Sequence, residues 1–440
     1  MDWSQIPDLA AVCLLAGAFA SIARQGLTRA SRLWLTGWVL IAVHFGAFVF
    51  ASLPGPQGKV AVFVGLAALA NAGILFMHST ISYHMQPSSR WMLFCLVTSV
   101  TLYLALLTAS PVWDWALTPS ALLVGASPLV LALIALPRFS HHLRWWLVGL
   151  FTCLGSFLLA VQHRPGIGTD LALNAVLFTV YIGCCIHFWF IYRRATAGAM
   201  ICIAGFGAWA LVFLIGPLMS VYASAIRVES EVWNLPKYLV AVGMILLLLE
   251  DQIEHNKYLA LHDDLTGLPN RRLFQDRLRV AIDRAHRLRS TTALLVVDLD
   301  GFKAVNDNFG HHSGDAVLKS VAAAFEKRIR RCDTVARTGG DEFSIVLEEP
   351  ANHANALQVA NSLMQLLAEP IQAEGQYVKV GASIGIAVFP DDATDLEALC
   401  IAADRKMYSD KHESGNPMRI ESFGHSARGA SLGTAVEANR

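Results

Sequence analysis

Two pairs of acids frame the chemistry available to this sequence. Asp298 and Asp300 close the run Thr291–Val297 (TTALLVV), whose apolar and β-branched residues predict a buried strand. Carboxylates at i and i+2 on an extended chain point the same way. Acids at a strand end suit Mg²⁺, which takes oxygen ligands and only a few of them from protein. Downstream, Gly339-Gly340 separates two extended stretches and leads directly into Asp341, Glu342 and Phe343–Leu347. A Gly-Gly pair in that position predicts a type I′ hairpin turn with both glycines at positive φ. Asp341 and Glu342 would follow at its exposed tip, where glycine lets a nucleotide approach the backbone. A carboxylate here and one at Asp298 would clamp a metal from adjacent strands. Nucleotidyl transfer uses such a clamp to neutralise a triphosphate, activate a 3′-hydroxyl and stabilise the leaving pyrophosphate.

Taken together, these residues resemble the GGDEF domain of diguanylate cyclases. The intact Gly339-Gly340-Asp341-Glu342-Phe343 is the motif that names the family. Three further blocks stand around it in order: 263–272 (DDLTGLPNRR), 298–307 (DLDGFKAVND), and Gly310-His311 with Gly314-Asp315. The resemblance covers about residues 261–420. It implies that Asp298, the Leu299 carbonyl and Asp341 hold Mg²⁺ or Mn²⁺, and that Glu342 serves 3′-hydroxyl activation or metal binding. Gly339 and Gly340 would line the GTP site. Asn306 and Asp315 match the pair that reads guanine, whose N1–H and N2–H₂ edge offers donors to an amide and a carboxylate. His311 belongs near the same pocket, and Lys303 and Lys411 match lysines that contact phosphates.

Arg330 and Asp333 match the family's RxxD product-inhibition site; on the residues alone they are equally a surface salt bridge at i, i+3. One block departs from the family. Lys411 is followed by Ser414-Gly415-Asn416 where Gly-Arg-Asn is usual, and Lys406 and Asp410 replace usual alanines. Arg405 or Arg419 could compensate for the arginine. The implied fold is a three-layer α/β (α+β) sandwich of the nucleotide-cyclase and polymerase-palm kind. Its mostly antiparallel central sheet would be built from Thr291–Asp298, Phe343–Leu347 and Val378–Phe389. The implied reaction condenses two GTP into cyclic di-GMP and two pyrophosphates, in a homodimer with one GTP per domain.

The elements that must position this site divide the 440 residues into two materials. Residues 1–250 carry 12 basic and 7 acidic residues; the remaining 190 carry 22 and 27. Apolar runs recur through the first stretch, and a run of about 20 such residues spans a bilayer. We read 1–250 as a multi-pass region of eight or nine helices, 251–262 as a linker helix, 263–422 as the catalytic domain, and 423–440 as a disordered tail. Zero net charge excludes a strongly basic nucleic-acid coat, so no nucleic-acid partner is expected.

With nine helices and an outside N-terminus, eight arginines (24, 29, 32, 90, 138, 144, 193, 194) fall in inside loops. Lys59, Arg164, Arg227 and Lys237 fall outside. That asymmetry predicts a bacterial inner-membrane protein, in contact with lipid, with its C-terminal domain in the cytoplasm. Trp113, Trp115, Trp145 and Trp146 fall at span ends. His44, Asn71, His78, Asn174 and His187 are the polar candidates within the spans, read first as hydrogen-bonding residues between helices. None of the eight cysteines forms a CxxC pair, which predicts neither a zinc site nor a disulfide framework. Positions 249, 253 and 260 suit a short coiled coil in the linker. Two other readings remain: a receptor that binds GTP or cyclic di-GMP without chemistry, and a transporter with a regulatory domain. The intact acids speak against the first. The lack of matching broken helices speaks against the second.

Overall fold

The computed structural model describes residues 1–23, 29–79, 87–109, 114–135, 141–162, 164, 167–192, 196–222, 230–348 and 351–413. The chain divides into two compact units, Met1–Ile253 and Glu254–Arg440. The expected tail, 423–440, lies outside the described residues, as do Trp113 and the 414–416 segment of the closing motif.

The first unit is helical: α1 (Ile6–Ala23), α2 (Arg29–Phe48), α3 (Pro56–Ser79), α4 (Pro87–Ala109), α5 (Asp114–Ala135), α6 (His141–Val161), α7 (Gly168–Ile191), α8 (Ala197–Tyr222) and α9 (Ser230–Leu261). Among the described residues, six helices are long and apolar enough to cross a membrane. Three shorter apolar stretches lie at Leu93–Ala109, Trp115–Ser127 and Trp145–Val161. These helices are apolar all round rather than striped. Trp38, Tyr103, Phe151, Tyr181 and Trp209 fill the interior while Leu14, Trp115, Trp146 and Trp189 face outward, as a membrane solvent permits.

The polar residues within these helices bond nearby groups, although Asn71 Oδ1 and His187 Nε2 are buried with no partner among the described residues. His44 Nδ1 donates to the Gly65 carbonyl at 2.9 Å, and His187 Nδ1 to that of Gly183 at 3.0 Å. Asn71 Nδ2 donates to Thr101 Oγ1 and Asn174 Nδ2 to the Asp170 carbonyl. Among the described residues, no three His, Cys, Asp or Glu side chains converge as a metal cage. One expectation fails here: Lys237, counted as an outside-loop charge, is buried inside α9. Asn234 and the Phe45 ring, both at its ammonium, make that burial tolerable.

In the second unit β1 (Thr292–Asp300), β2 (Thr334–Arg337), β3 (Glu342–Leu347) and the later β6 (Gly381–Phe389) form one sheet in the order β2-β3-β1-β6, antiparallel throughout. β4 (Ile371–Ala373) and β5 (Gln376–Val378) make a separate hairpin. The helices are α10 (Arg271–Leu288), α11 (Phe302–Phe309), α12 (His311–Arg328), α13 (His353–Ala368) and α14 (Leu396–Glu413). Leu295, Val297, Phe343 and Ile345 face α12 and α13 on one side. Leu294, Val296, Val346 and Ala387 face α10 and α14 on the other. The sheet is thus covered on both faces. That is why residues 293–297 of β1 read as an unbroken apolar run rather than alternating, although the neighbouring strands are antiparallel.

Two details correct the expectation. Val378 ends the β4–β5 hairpin and the sheet strand starts only at Gly381, because Glu374 and Gly375, at φ 49° and 81°, turn the chain back on Ile371–Ala373. Gly339 and Gly340 do not form a type I′ pair, since neither has positive φ. The link is a wider loop in which Thr338 N–H and Gly339 N–H both donate to the Glu342 carbonyl.

Candidate active site

The acids meet where β1 and β3 lie side by side. Asp298 pairs in register with Glu342. Leu299 N–H donates to the Asp341 carbonyl at 3.1 Å, which fastens the acidic loop to the strand end. From α14, Lys411 Nζ reaches Asp298 Oδ1 at 2.6 Å. Asp300, one pleat on, accepts Ser383 Oγ at 3.0 Å on each oxygen. Gly339 does not serve φ: the Glu342 side chain folds back over it, and a Cβ there would come 2.7 Å from Glu342 Oε2. At Gly340 nothing lies within 4 Å of a Cβ position, so that side of the loop is open to a ligand.

The electrostatics show a crowd of like charges. Burial, followed by the nearby Asp298 and Asp341, pushes the Glu342 carboxyl above its usual range. Burial does the same to Asp300, partly offset by the Ser383 hydroxyl. The hydrogen bond to Asp298 holds Lys411 above the ordinary lysine value. Hard oxygen donors crowded in this way are of the kind that suits a divalent cation, with Lys411 the positive charge that meets Asp298 here.

The α11–α12 corner gathers a second set. Gly310, at φ 82°, turns the chain between the two helices and donates its N–H to the Asn306 carbonyl. Gly314 has no Cβ, and the Asn306 side-chain oxygen occupies that space. Asn306 is thereby pressed against the turn of α12 that carries Asp315. Lys303 and His311 are exposed at the starts of α11 and α12.

Arg330 and Asp333 lie apart from both sets. The Asp333 oxygens accept N–H groups of Arg330 at 3.1 Å and Glu348 at 3.0 Å. Among the described residues no ion pair joins the two side chains, so the surface salt bridge is not what this motif forms. Beside them is a cleft of about 260 Å³ lined by Arg328, Arg330, Asp333, Glu348, Asn355 and Ser362.

Sequence reasoning missed Arg337. Its guanidinium grips Asp263 at 2.9 and 3.1 Å and donates to the Gly340 carbonyl through Nε at 3.1 Å and Nη2 at 2.7 Å. Thr266 N–H and Oγ1 also bond Asp263 Oδ1. Burial raises the Asp263 carboxyl, but these bonds and the Arg337 charge bring it net below the usual range. The only sequence signal was an arginine two residues before the glycine pair.

Residues 260–417 match the model of the family described as "Diguanylate cyclase, GGDEF domain". This segment is a GGDEF domain. The bifunctional diguanylate cyclase/cyclic di-GMP phosphodiesterase MucR of Pseudomonas aeruginosa is 47% identical over 158 residues, 36% of this chain and 23% of MucR. The diguanylate cyclase TpbB of the same organism is 38% identical over 173 residues, 39% of this chain and 40% of TpbB. The chain thus spans less than half of these relatives, and the likeness lies in the GGDEF domain. A solved structure of Pseudomonas aeruginosa TpbB comprising only the GGDEF domain is 40% identical, with 34% of this chain and 89% of that one covered and a TM-score of 0.34.

Proposed function

We propose that the chain is a membrane-bound diguanylate cyclase of the bacterial inner membrane, with its GGDEF domain in the cytoplasm. It condenses two GTP into cyclic di-GMP and two pyrophosphates as a homodimer, one GTP per domain. The observation that carries this reading is the Asp298–Glu342 register, with Asp341 tied to Leu299 and Lys411 to Asp298. A pure receptor would have no use for that crowd of acids.

In the proposed mechanism Asn306 and Asp315 accept the N1–H and N2–H₂ of guanine and fix the nucleoside. Lys303 and Lys411 contact the phosphates as point charges. The open backbone at Gly340 lets the triphosphate lie against the loop. Asp298, Asp341 and the Leu299 carbonyl would hold a divalent cation, which neutralises the triphosphate and stabilises the leaving pyrophosphate. Each GTP offers its 3′-oxygen to the α-phosphorus of the other; two P–O bonds form and two to pyrophosphate break. Glu342, with its raised proton affinity, would accept the 3′-hydroxyl proton. The dimer sets the in-line geometry between the two halves.

The deciding experiment is GTP turnover by the full-length protein in nanodiscs with Mg²⁺, read by mass spectrometry. A cyclic di-GMP product supports the reading. GTP binding without product, with or without added divalent metal, would sink it.

The cleft at Arg330 supports product inhibition. A guanidinium not tied to Asp333 is available to a product phosphate and base. Arg330→Ala should raise the product concentration that halves the rate by at least about tenfold, the size of one lost charge-assisted contact. An unaltered inhibition curve would remove the role.

A further inference from the structure

A charged network is buried inside the first unit, where no part of the cyclase reading calls for one. Asp8, in the first turn of α1, is only 7% exposed. Its Oδ2 accepts Asn234 Nδ2 at 2.6 Å and its Oδ1 accepts Tyr238 OH at 2.7 Å, both from α9. Lys237 Nζ donates to Asn234 Oδ1 and stands 4.4 Å from the centre of the Phe45 ring of α2. Asn234, Lys237 and Tyr238 are spaced i, i+3, i+4, so they share one face of α9. Ionisable groups in such a place are costly, and they persist where they do something.

Their position on α9 says what. Pro236 lies inside α9, within the network. It removes the N–H that would bond the Val232 carbonyl and weakens the helix there. Asn234 precedes the weak point and Tyr238 follows it, and one carboxylate of α1 holds both. Farther along, α9 is pressed onto α8. A Cβ at Gly198 would lie 2.6 Å from Leu247 N, and one at Gly243 2.7 Å from Cys202 N. Gly198 N–H also donates to Glu250 Oε1 at 3.2 Å. This seam packs α8 and α9 backbone to backbone. The Asp8 contact is of the other kind: a few directional bonds from a helix of different origin, across a proline.

We propose that Asp8, Asn234, Lys237 and Tyr238 form a latch that fixes the register of α9 against α1 and α2, and that opening it changes cyclic di-GMP output. α9 is the helix through which the chain passes into residue 254 and beyond, so a change at Pro236 travels along the chain toward the GGDEF domain. The output half of the proposal rests on the cyclase reading; the register half does not.

The test uses the full chain in nanodiscs, with spin labels introduced by unnatural amino acids at the outward-facing Leu14 of α1 and Val242 of α9. In Asp8→Ala the distance distribution between the labels should shift or broaden. Turnover should change by at least about fivefold, the low end of coupling between distant sites. Lys237→Met, which removes the charge while keeping an apolar stem and so guards against misfolding, should move both readouts the same way. The Asp8→Ala/Lys237→Met double variant should add little, because both remove one element. An unchanged label distance in both single variants overturns the latch. A shifted distance with unchanged turnover overturns its link to output. A wild-type protein that makes no product would instead count against the cyclase reading, and the label distances would still decide the latch.

Discussion

Asp341→Ala abolishes cyclic di-GMP synthesis, with turnover falling by at least about 10³-fold, as expected when a group that holds charge at the reacting phosphorus is removed. The stability of the variant should move the other way. Asp341 stands beside Asp298 and raises the proton affinity of Glu342. A carboxyl whose folded-state pKa is raised costs stability once pH exceeds its unfolded value, and that cost is complete above the folded one. Near neutral pH, removing one acid therefore relieves repulsion, and Tm should hold or rise while activity vanishes. The same crowding gives a second reading on one sample. Mg²⁺ should raise the Tm of the wild type in proportion to its binding, and do so much less for Asp341→Ala. Calorimetry with and without Mg²⁺, beside mass-spectrometric turnover, checks both. Residual turnover within tenfold of wild type, or an equal Mg²⁺ shift in both proteins, would place the metal elsewhere.

Much of this site was legible because its signals are local. The run 293–297 is apolar on every residue since β1 lies centrally between two helical layers, and it stops at Asp298 where the strand reaches the site. The glycine pair marked the loop, though not through turn geometry: the Glu342 side chain folds back over Gly339. What escaped was long-range or depended on surroundings. Val378 has the composition of the strand it precedes, and only a turn at Glu374-Gly375 assigns it to the hairpin. Asp333 looks like a partner for the Arg330 side chain, yet its oxygens bind backbone N–H groups of Arg330 and Glu348. Lys237 reads as a loop charge until the acid of Asp8 is brought across most of the first unit to its neighbours Asn234 and Tyr238. Pairing over such separations leaves no periodicity in the sequence to read.

Arg337 is the sharpest case of this kind and carries the second large effect. It touches no predicted substrate atom; its guanidinium joins Asp263 to the carbonyl of Gly340, with the arginine side chain 12% exposed and the aspartate 23%. The loop that bears Asp341 is thus also tied, through this fork, to the 263–272 block. Arg337→Ala leaves the half-buried Asp263 carboxylate with only its Thr266 donors and takes both side-chain donors from the Gly340 carbonyl, costing on the order of 2 kcal/mol of stability. Turnover should fall by about 10²-fold, the scale of a misplacement near 1 Å at a reacting centre. The fall should appear in kcat, with KM for GTP changed little, because the guanine and phosphate contacts are made by other residues. Arg337→Lys should not rescue it, since a point charge cannot serve Asp263 and Gly340 together. Asp263→Ala should be milder, because the Gly340 carbonyl keeps both of its donors. Pairing it with Arg337→Ala should add almost nothing to the loss from Arg337→Ala alone. Steady-state kinetics on the four variants test this. Full activity in Arg337→Lys, or a loss seen in KM alone, would mean that the arginine acts by charge or by binding GTP, not by setting the position of the loop.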